Sequence, residues 1–257
     1  MSNQSFTIDP EQASGASVGD TLELTGAEAH HAATVKRAAP GEQLDLLDGR
    51  GTRLTVSVLE VGRELLSVRV EQVEREPAPA IPISLTQALA KSDRDLQAVE
   101  AAVELGISQV QPWQAERSIV RWNQAKAAKG QAKWQAQVRA AQKQSRRTHE
   151  PSVQPLCNSK QLEAQIAEHV AAGELVIVLH EAEQRALSEV VSQWLGADTE
   201  GGAIRLIVGP EGGISDAEIE RFTAAGAIPA LLGQHVLRAS TAGPAALVLI
   251  RHLLGEL

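Results

Sequence analysis

Apolar positions recur at every second place in the early part of the chain. Leu54, Val56 and Val58 alternate with Thr55 and Ser57, and Leu66–Val73 repeats the pattern. A period of two puts successive side chains on opposite faces of a strand, so Arg53–Val61 and Leu66–Val73 read as strands. The short apolar run Gln43–Leu47 precedes them, and Asp48-Gly49-Arg50-Gly51 supplies a hairpin turn. Short strands at close spacing predict a small β-barrel. Glu76-Pro77-Ala78-Pro79-Ala80-Ile81-Pro82 then sustains neither ladder nor helix. It divides the chain into expected domains at residues 1–76 and 77–257.

Past that linker the pattern changes to strands alternating with helical stripes. Ile83–Ala88, Ile107–Pro112, Leu175–His180, Ile204–Val208 and Ile228–Leu232 read as strands, most of them largely apolar. Ser92 with Asp95 resembles a capping box, opening a helix whose stripe Leu96, Val99, Ala102 and Val103 ends at Gly106. A long basic helix follows, broken near Gly130 and ending before Pro151. Further helices are expected over Gln161–Ala172, Leu187–Leu195, from the Ser215/Glu218 capping box to Ala225, and over Thr241–Leu254. Apolar strands alternating with helices imply an α/β fold with a mostly parallel sheet covered on both faces.

Composition adds limits. With four Trp, two Phe and no Tyr, aliphatic residues must fill the core. The single cysteine, Cys157, excludes a disulfide framework and any multi-Cys metal site, and fits a reducing compartment. No apolar run approaches the roughly 18 residues of a membrane span. Met1–Pro10 has no secretory pattern, so a cytoplasmic location is expected. The net charge of −8 hides an asymmetry: Arg117–His149 holds nine Lys and Arg, no acid, and both Trp122 and Trp134. As a helix of about 25 residues it makes a rod of roughly 40 Å. Interleaved bases and aromatics are the footprint of a nucleic-acid surface. A solvated helix with tryptophan core anchors is the plainer alternative.

The strand–Gly209-Pro210-Glu211-Gly212-Gly213–helix unit is the most specific local feature. Its glycines let backbone approach a ligand, and the helix behind directs amides toward it. It lacks the dinucleotide GxGxxG pattern and the Lys-Ser/Thr of a P-loop, which favours a nucleoside or carboxylate over a triphosphate, with a tight βα turn as the alternative. A second bend, Leu232-Gly233-Gln234-His235-Val236-Leu237-Arg238, follows the last strand, and Ala239-Ser240-Thr241 is placed to cap the closing helix. In open α/β sheets ligands sit at the carboxyl ends of strands, so Leu179–Glu181, Gly209–Gly213 and Leu232–Arg238 are expected to share one pocket. Arg238 is the cation near these turns. The dispersed histidines give no metal-ligand spacing, no GxSxG elbow occurs, and Cys157 has no adjacent base, so metal and serine or cysteine hydrolases drop out. A group-transfer or binding protein with a nucleoside-type pocket and a basic arm remains.

Gln87-Ala88-Leu89-Ala90-Lys91-Ser92-Asp93-Arg94, Ala101–Ile107, Glu116-Arg117-Ser118, Gln144-Ser145-Arg146-Arg147, Gly209–Gly213 and Leu232–Arg238, in this order, resemble the RsmE family of 16S rRNA (uracil-N3)-methyltransferases, of the SPOUT superfamily. His30-His31, Val35-Lys36-Arg37, Pro40-Gly41-Glu42 and Asp48-Gly49 resemble its PUA-like RNA-binding barrel. The resemblance implies a C-terminal deep trefoil knot, over about 175–257, and a homodimer acting on 16S rRNA of the small ribosomal subunit. It also implies S-adenosylmethionine (SAM) as methyl donor, held by Leu179, His180, Glu181, Gly209, Pro210, Glu211, Gly212, Gly213, Leu232, Gly233, Val236, Leu237, Arg238 and Thr241. Expected RNA contacts are His30, Lys36, Arg37, Lys91, Arg94, Arg121, Gln144, Ser145, Arg146 and Arg147.

Methylating N3 requires the uracil to be unpaired and its N3 proton to be lost. Arg238 and Arg117 are the expected stabilisers of the resulting charge, and Glu116 and Glu211 the candidate bases. The chain departs from the family in reading Leu237-Arg238-Ala239-Ser240-Thr241 where Leu-Arg-Thr-Glu-Thr is usual. Lys143 replaces a usual Glu, and His235 a common Arg. A SPOUT enzyme with another RNA target, base or ribose 2′-oxygen, and a non-catalytic ribosome-assembly factor are the alternatives.

Overall fold

The computed structural model describes residues 3–62, 64–197 and 202–257. They form two compact units, Met1–Ala78 with Gln142–Glu150, and Pro79–Ala141 with Pro151–Leu257. Among the described residues no helix is long and apolar enough to cross a membrane.

The first unit contains β1 (Gln4–Thr7), α1 (Pro10–Gly15), β2 (Thr21–Thr25), α2 (Gly26–His30) running into a π-helix (His31–Val35), β3 (Gln43–Leu47), β4 (Thr52–Val61) and β5 (Leu65–Arg75). The strand order is β1-β3-β4-β5-β2, with β1 parallel to β3 and every other pair antiparallel. The two-residue alternation works as expected: Leu54, Val56, Val58, Leu66, Val68 and Val70 point into one core. In the hairpin turn the Asp48 carboxylate accepts the Arg50 and Thr52 amides at 2.7 and 2.8 Å. The sequence pattern had not indicated β1, β2, α1 or α2. β1 and β2 each bury one side chain, Phe6 and Leu24, too few to make a period. The helices face the core through Ala13 and Ala29, and the π-helix through Ala32.

The second unit contains β6 (Ile83–Ala88), α3 (Arg94–Glu104), β7 (Gln109–Gln114), α4 (Gln124–Ser145, whose last residues belong to the first unit), β8 (Ser152–Val153) and β9 (Cys157–Asn158). It continues with α5 (Ser159–Ala171), β10 (Leu175–Leu179), α6 (Leu187–Leu195), β11 (Ile204–Val208), α7 (Asp216–Ala224), β12 (Ile228–Ala230) and α8 (Ala239–Leu253). The sheet order is β12-β10-β11-β6-β7-β8, β9 also pairs with β7, and every pairing is parallel. One face packs on α3, α4, α6 and α8 through Val99, Val138, Val191 and Leu247. The other packs on α5 and α7 through Ile166 and Phe222. Both faces being covered explains why β6 is buried at all six positions.

Three local expectations are corrected. Ser92 and Asp95 form no capping box: Ser92 and Asp93 lie at φ of 55° and 56°, Asp93 occupies the cap without a side-chain bond, and the helix starts at Arg94. Asp95 instead accepts the Leu96 amide, and burial pushes its carboxyl above the usual aspartate value. α4 is unbroken at Gly130, where an added Cβ would lie 2.6 Å from the Trp122 ring. That glycine makes room for an indole. Trp122 meets the fully buried Trp134 edge to face at 6.2 Å, so both serve as packing anchors, the plainer of the two readings. In the closing helix Arg238 is the cap residue, without a side-chain bond, and Ser240 and Thr241 fall inside the helix.

Candidate active site

β12, β10 and β11 are adjacent and parallel, so the chain leaves all three at one edge of the sheet. The segments that follow line a single cleft of about 450 Å³. Leu179, His180 and Glu181 come from the end of β10. Gly209, Pro210, Glu211 and Gly213 follow β11, and Leu232, Gly233, Val236, Leu237 and Arg238 follow β12. His235, Ile214, Ala242 and Arg94 also line it. The shared pocket expected from the strand ends is therefore formed. Gly212 and Thr241 are not part of its lining. A Cβ on Gly212 would meet Arg117 at 3.3 Å, and the Thr241 amide closes the first turn of α8 on the Arg238 carbonyl at 2.8 Å.

The bend after β11 depends on its glycines. An added Cβ on Gly209 would lie 2.6 Å from Ile214 Cγ1, and Gly213 sits at φ 72° with its amide on the Pro210 carbonyl at 2.9 Å. Ser215 and Glu218 then form both halves of the expected capping box. Glu218 does more than the pattern indicated. It is fully buried, and its carboxylate also accepts the Glu116 amide at 2.9 Å and the Ser159 hydroxyl. It thus fastens the loop after β7 and the start of α5 to the base of the bend. A capping signal cannot reveal that, because the added partners are distant in sequence.

The charged groups fall into distinct settings. Glu211 accepts the Lys91 amide at 3.0 Å and pairs with Arg94 at 3.3 Å. Glu116 does not line the cleft: it accepts the Ser215 hydroxyl at 2.7 Å and Arg221 at 2.6 Å, and these two contacts hold its carboxyl below the usual glutamate value. Arg117 is also outside the lining, with Nη1 3.4 Å from the carbonyls of Gly212 and Ile214. Arg238 is exposed on the cleft, with no ion pair on its guanidinium among the described residues. Cys157 is buried, and desolvation pushes its thiol up to about 12, so it is chemically quiet.

The expected RNA contacts divide between the units. In the first, His30 ends α2, Lys36 follows the π-helix, and Arg37 lies at φ 55°. Gln144 and Ser145 end α4, Arg146 lies at φ 58° with its carbonyl accepting Arg53 at 2.9 Å, and the Arg147 carbonyl accepts Gln142 at 2.9 Å. In the second, Lys91 and Arg94 flank the start of α3, and Arg121 donates to the Glu116 carbonyl at 2.8 Å.

A cleft of this size, floored by Leu179, Ile214 and Ala242 and edged by glycine-bearing backbone, suits a nucleoside-sized ligand. Comparison with known proteins agrees. Residues 76–251 match the model of an RNA methyltransferase domain, and residues 24–71 that of an RNA methyltransferase PUA domain. The chain is 41% identical over 235 residues to ribosomal RNA small subunit methyltransferase E of Mycobacterium tuberculosis, covering 89% of this chain and 87% of that one. The Bacillus subtilis protein of the same name is 27% identical over 223 residues, covering 86% of each. The structure of the Neisseria gonorrhoeae methyltransferase E bound to SAM superposes with a TM-score of 0.82 at 27% identity, over 98% of both chains. A Legionella pneumophila protein in complex with SAM gives 0.82 at 28% identity, again over 98% of both. Matched in both units along nearly its whole length, the chain belongs to the ribosomal RNA small subunit methyltransferase E (RsmE) family.

Proposed function

We propose that this chain transfers the methyl group of SAM to N3 of one uridine in 16S rRNA of the small ribosomal subunit. SAM-dependent methylation of that RNA is the activity of its family, and the uridine and its N3 are the finer reading. The convergence of three strand-end bends, two of them glycine-bearing, on one cleft beside Arg238 carries the assignment.

When bound, the cofactor supplies an electrophilic methyl group on a sulfonium sulfur. Backbone of Leu179–Glu181, Gly209–Gly213 and Leu232–Leu237 holds it. Rigid bends at the ends of three paired strands fix its orientation toward the incoming base, which provides much of the acceleration. The target uracil is unpaired before it enters, since N3 lies on its pairing edge. Arg238 faces the ring and stabilises charge on O2 or O4 as the N3 proton departs. Arg117 acts from behind by holding the Gly212 and Ile214 carbonyls. Glu116 and Glu211 are both engaged, by Arg221 and Ser215 and by Arg94 and Lys91. Neither of the two carboxylates is free to take the proton, and water is its acceptor in this reading.

RNA is recruited by His30, Lys36, Arg37 and Gln144–Arg147 on the PUA-like unit, and by Lys91, Arg94 and Arg121 on the catalytic unit. The reading includes a trefoil knot over 175–257 and a cytoplasmic homodimer. Val236 and Leu237, which line the cleft and are exposed by 78% and 40%, and Val248 on α8, exposed by 40%, support a second copy as their cover. Tritium transfer from labelled SAM to small-subunit rRNA, followed by nucleoside mapping, is the test. Label in 3-methyluridine is expected. Label in another base or in ribose, or no label, overturns the reading.

A further inference from the structure

The loops that leave neighbouring strands β6 and β11 are tied by one carboxylate. Glu211 accepts the backbone amide of Lys91 at 3.0 Å and the guanidinium of Arg94 at 3.3 Å. The tethered loop includes an unfavourable backbone turn. Ser92 and Asp93 are consecutive left-handed residues bearing side chains, at φ 55° and 56°, a conformation that such residues rarely adopt. No side chain caps the helix that follows. Besides the local bonds of the Arg94 amide to the Lys91 carbonyl at 3.2 Å and of the Ala90 amide to the Asp95 carboxylate, two outside contacts hold the loop: Glu211 on the cleft side, and Lys133 of α4, whose ammonium lies 2.7 Å from the Asp93 carboxylate. Arg94 and Glu211 both line the cleft, so Arg94 belongs to its wall while this pair is closed.

We propose that Glu211 is a positioning residue that latches the Lys91–Arg94 loop to the cofactor bend, so that filling the cleft and docking RNA strengthen each other. The inference rests on the reading of the cleft as the methyl-donor site and of Lys91 and Arg94 as RNA contacts. A ligand in the cleft packs against both members of the pair and favours the closed latch. RNA then meets a loop already ordered, and the ordering cost is met once for two ligands. Linkage makes the effect reciprocal: whatever factor the cofactor adds to RNA affinity, RNA adds to cofactor affinity.

The test measures the dissociation constant of S-adenosylhomocysteine with and without small subunits reconstituted from unmodified 16S transcript, and that of the subunits with and without S-adenosylhomocysteine. In the native protein each ligand is expected to tighten the other by about tenfold. Glu211→Gln and Arg94→Gln should each reduce that ratio to below about twofold, and the double variant should reduce it no further, because both remove one interaction. The ratio is independent of any direct loss of affinity in either variant. A native ratio near one, or a Glu211→Gln protein that binds more weakly but keeps the full ratio, overturns the latch. Tritium transfer to the same subunits runs alongside: transfer without coupling sinks the latch alone, and absence of transfer sinks the enzymatic reading with it.

Discussion

The ammonium of Lys143 lies 2.9 Å from each carboxylate oxygen of Glu28, in the first unit. Glu28 also accepts the Thr7 amide at 3.1 Å, and Lys143 stands 5.9 Å over the Phe6 ring. Lys143 thereby ties the end of α4 to α2 and β1. Burial raises the Glu28 carboxyl, but the Lys143 and Thr7 contacts more than offset it and leave it below the usual glutamate value.

Lys143→Met keeps the apolar stem and removes the charge, leaving Glu28 half-buried without its cation. A loss of about 1.5–3 kcal/mol at neutral pH is expected, the range for a hydrogen bond to a charged group, read by urea unfolding. A folded-state value below the unfolded one contributes stability that is complete above the ordinary glutamate value and lost as pH falls through the depressed one. The gap between native and variant should therefore close on acidification. A gap that widens on acidification would contradict the pairing.

Gly209→Ala places a methyl group where Ile214 Cγ1 lies 2.6 Å away. The bend must shift while the sheet stays intact. S-adenosylhomocysteine affinity, measured by titration calorimetry, should fall by at least about tenfold, and because Ile214 belongs to the buried cluster under α5 and α7, stability should fall by about 1–3 kcal/mol. Unchanged affinity would remove this bend from the cofactor site.

Arg238→Ala should lower the rate of methyl transfer at saturating SAM by about 100-fold or more, the cost of one donor to a developing oxyanion. Its guanidinium makes no ion pair among the described residues, so stability should be unchanged. A rate equal to the native enzyme's would take Arg238 out of the reaction.

Cys157 should resist iodoacetamide in the folded protein at pH 8 and react once the chain is unfolded in urea. Its thiol is buried, pushed up to about 12 by desolvation, and contacts the Pro112 carbonyl oxygen at 3.7 Å. Labelling followed by mass spectrometry reads the outcome.

RNA affinity should fall steeply with salt, because bases such as those of Arg117–Arg147 displace counterions from phosphates. Replacing Arg146 and Arg147 together by Gln should flatten the log–log slope by about 0.7–0.9 for each phosphate left without its guanidinium. A slope that does not change would take those two residues off the RNA.

The β4 and β5 strands, the apolar strands of the parallel sheet and the Ser215–Glu218 box were legible because each is a local pattern whose period or cap matches its structure. The cofactor bends were legible for a related reason: Gly209 and Gly213 mark places where backbone must turn sharply. Trp122 was open to two readings for the converse reason. Beside bases in sequence it reads as an RNA surface or as a core anchor, and only the fold shows Gly130 making room for its ring.

What the chain alone determined, then, was what depends on near neighbours: element type, the ends of the strands, and a family likeness carried by short motifs. Which charges are occupied was decided by the tertiary structure. Glu116 meets Arg221, Glu211 meets Arg94 and Glu28 meets Lys143 across 105, 117 and 115 positions. Partners that far apart are brought together by packing, and no periodicity encodes them. The role of each carboxylate is set by the cation that the fold places against it.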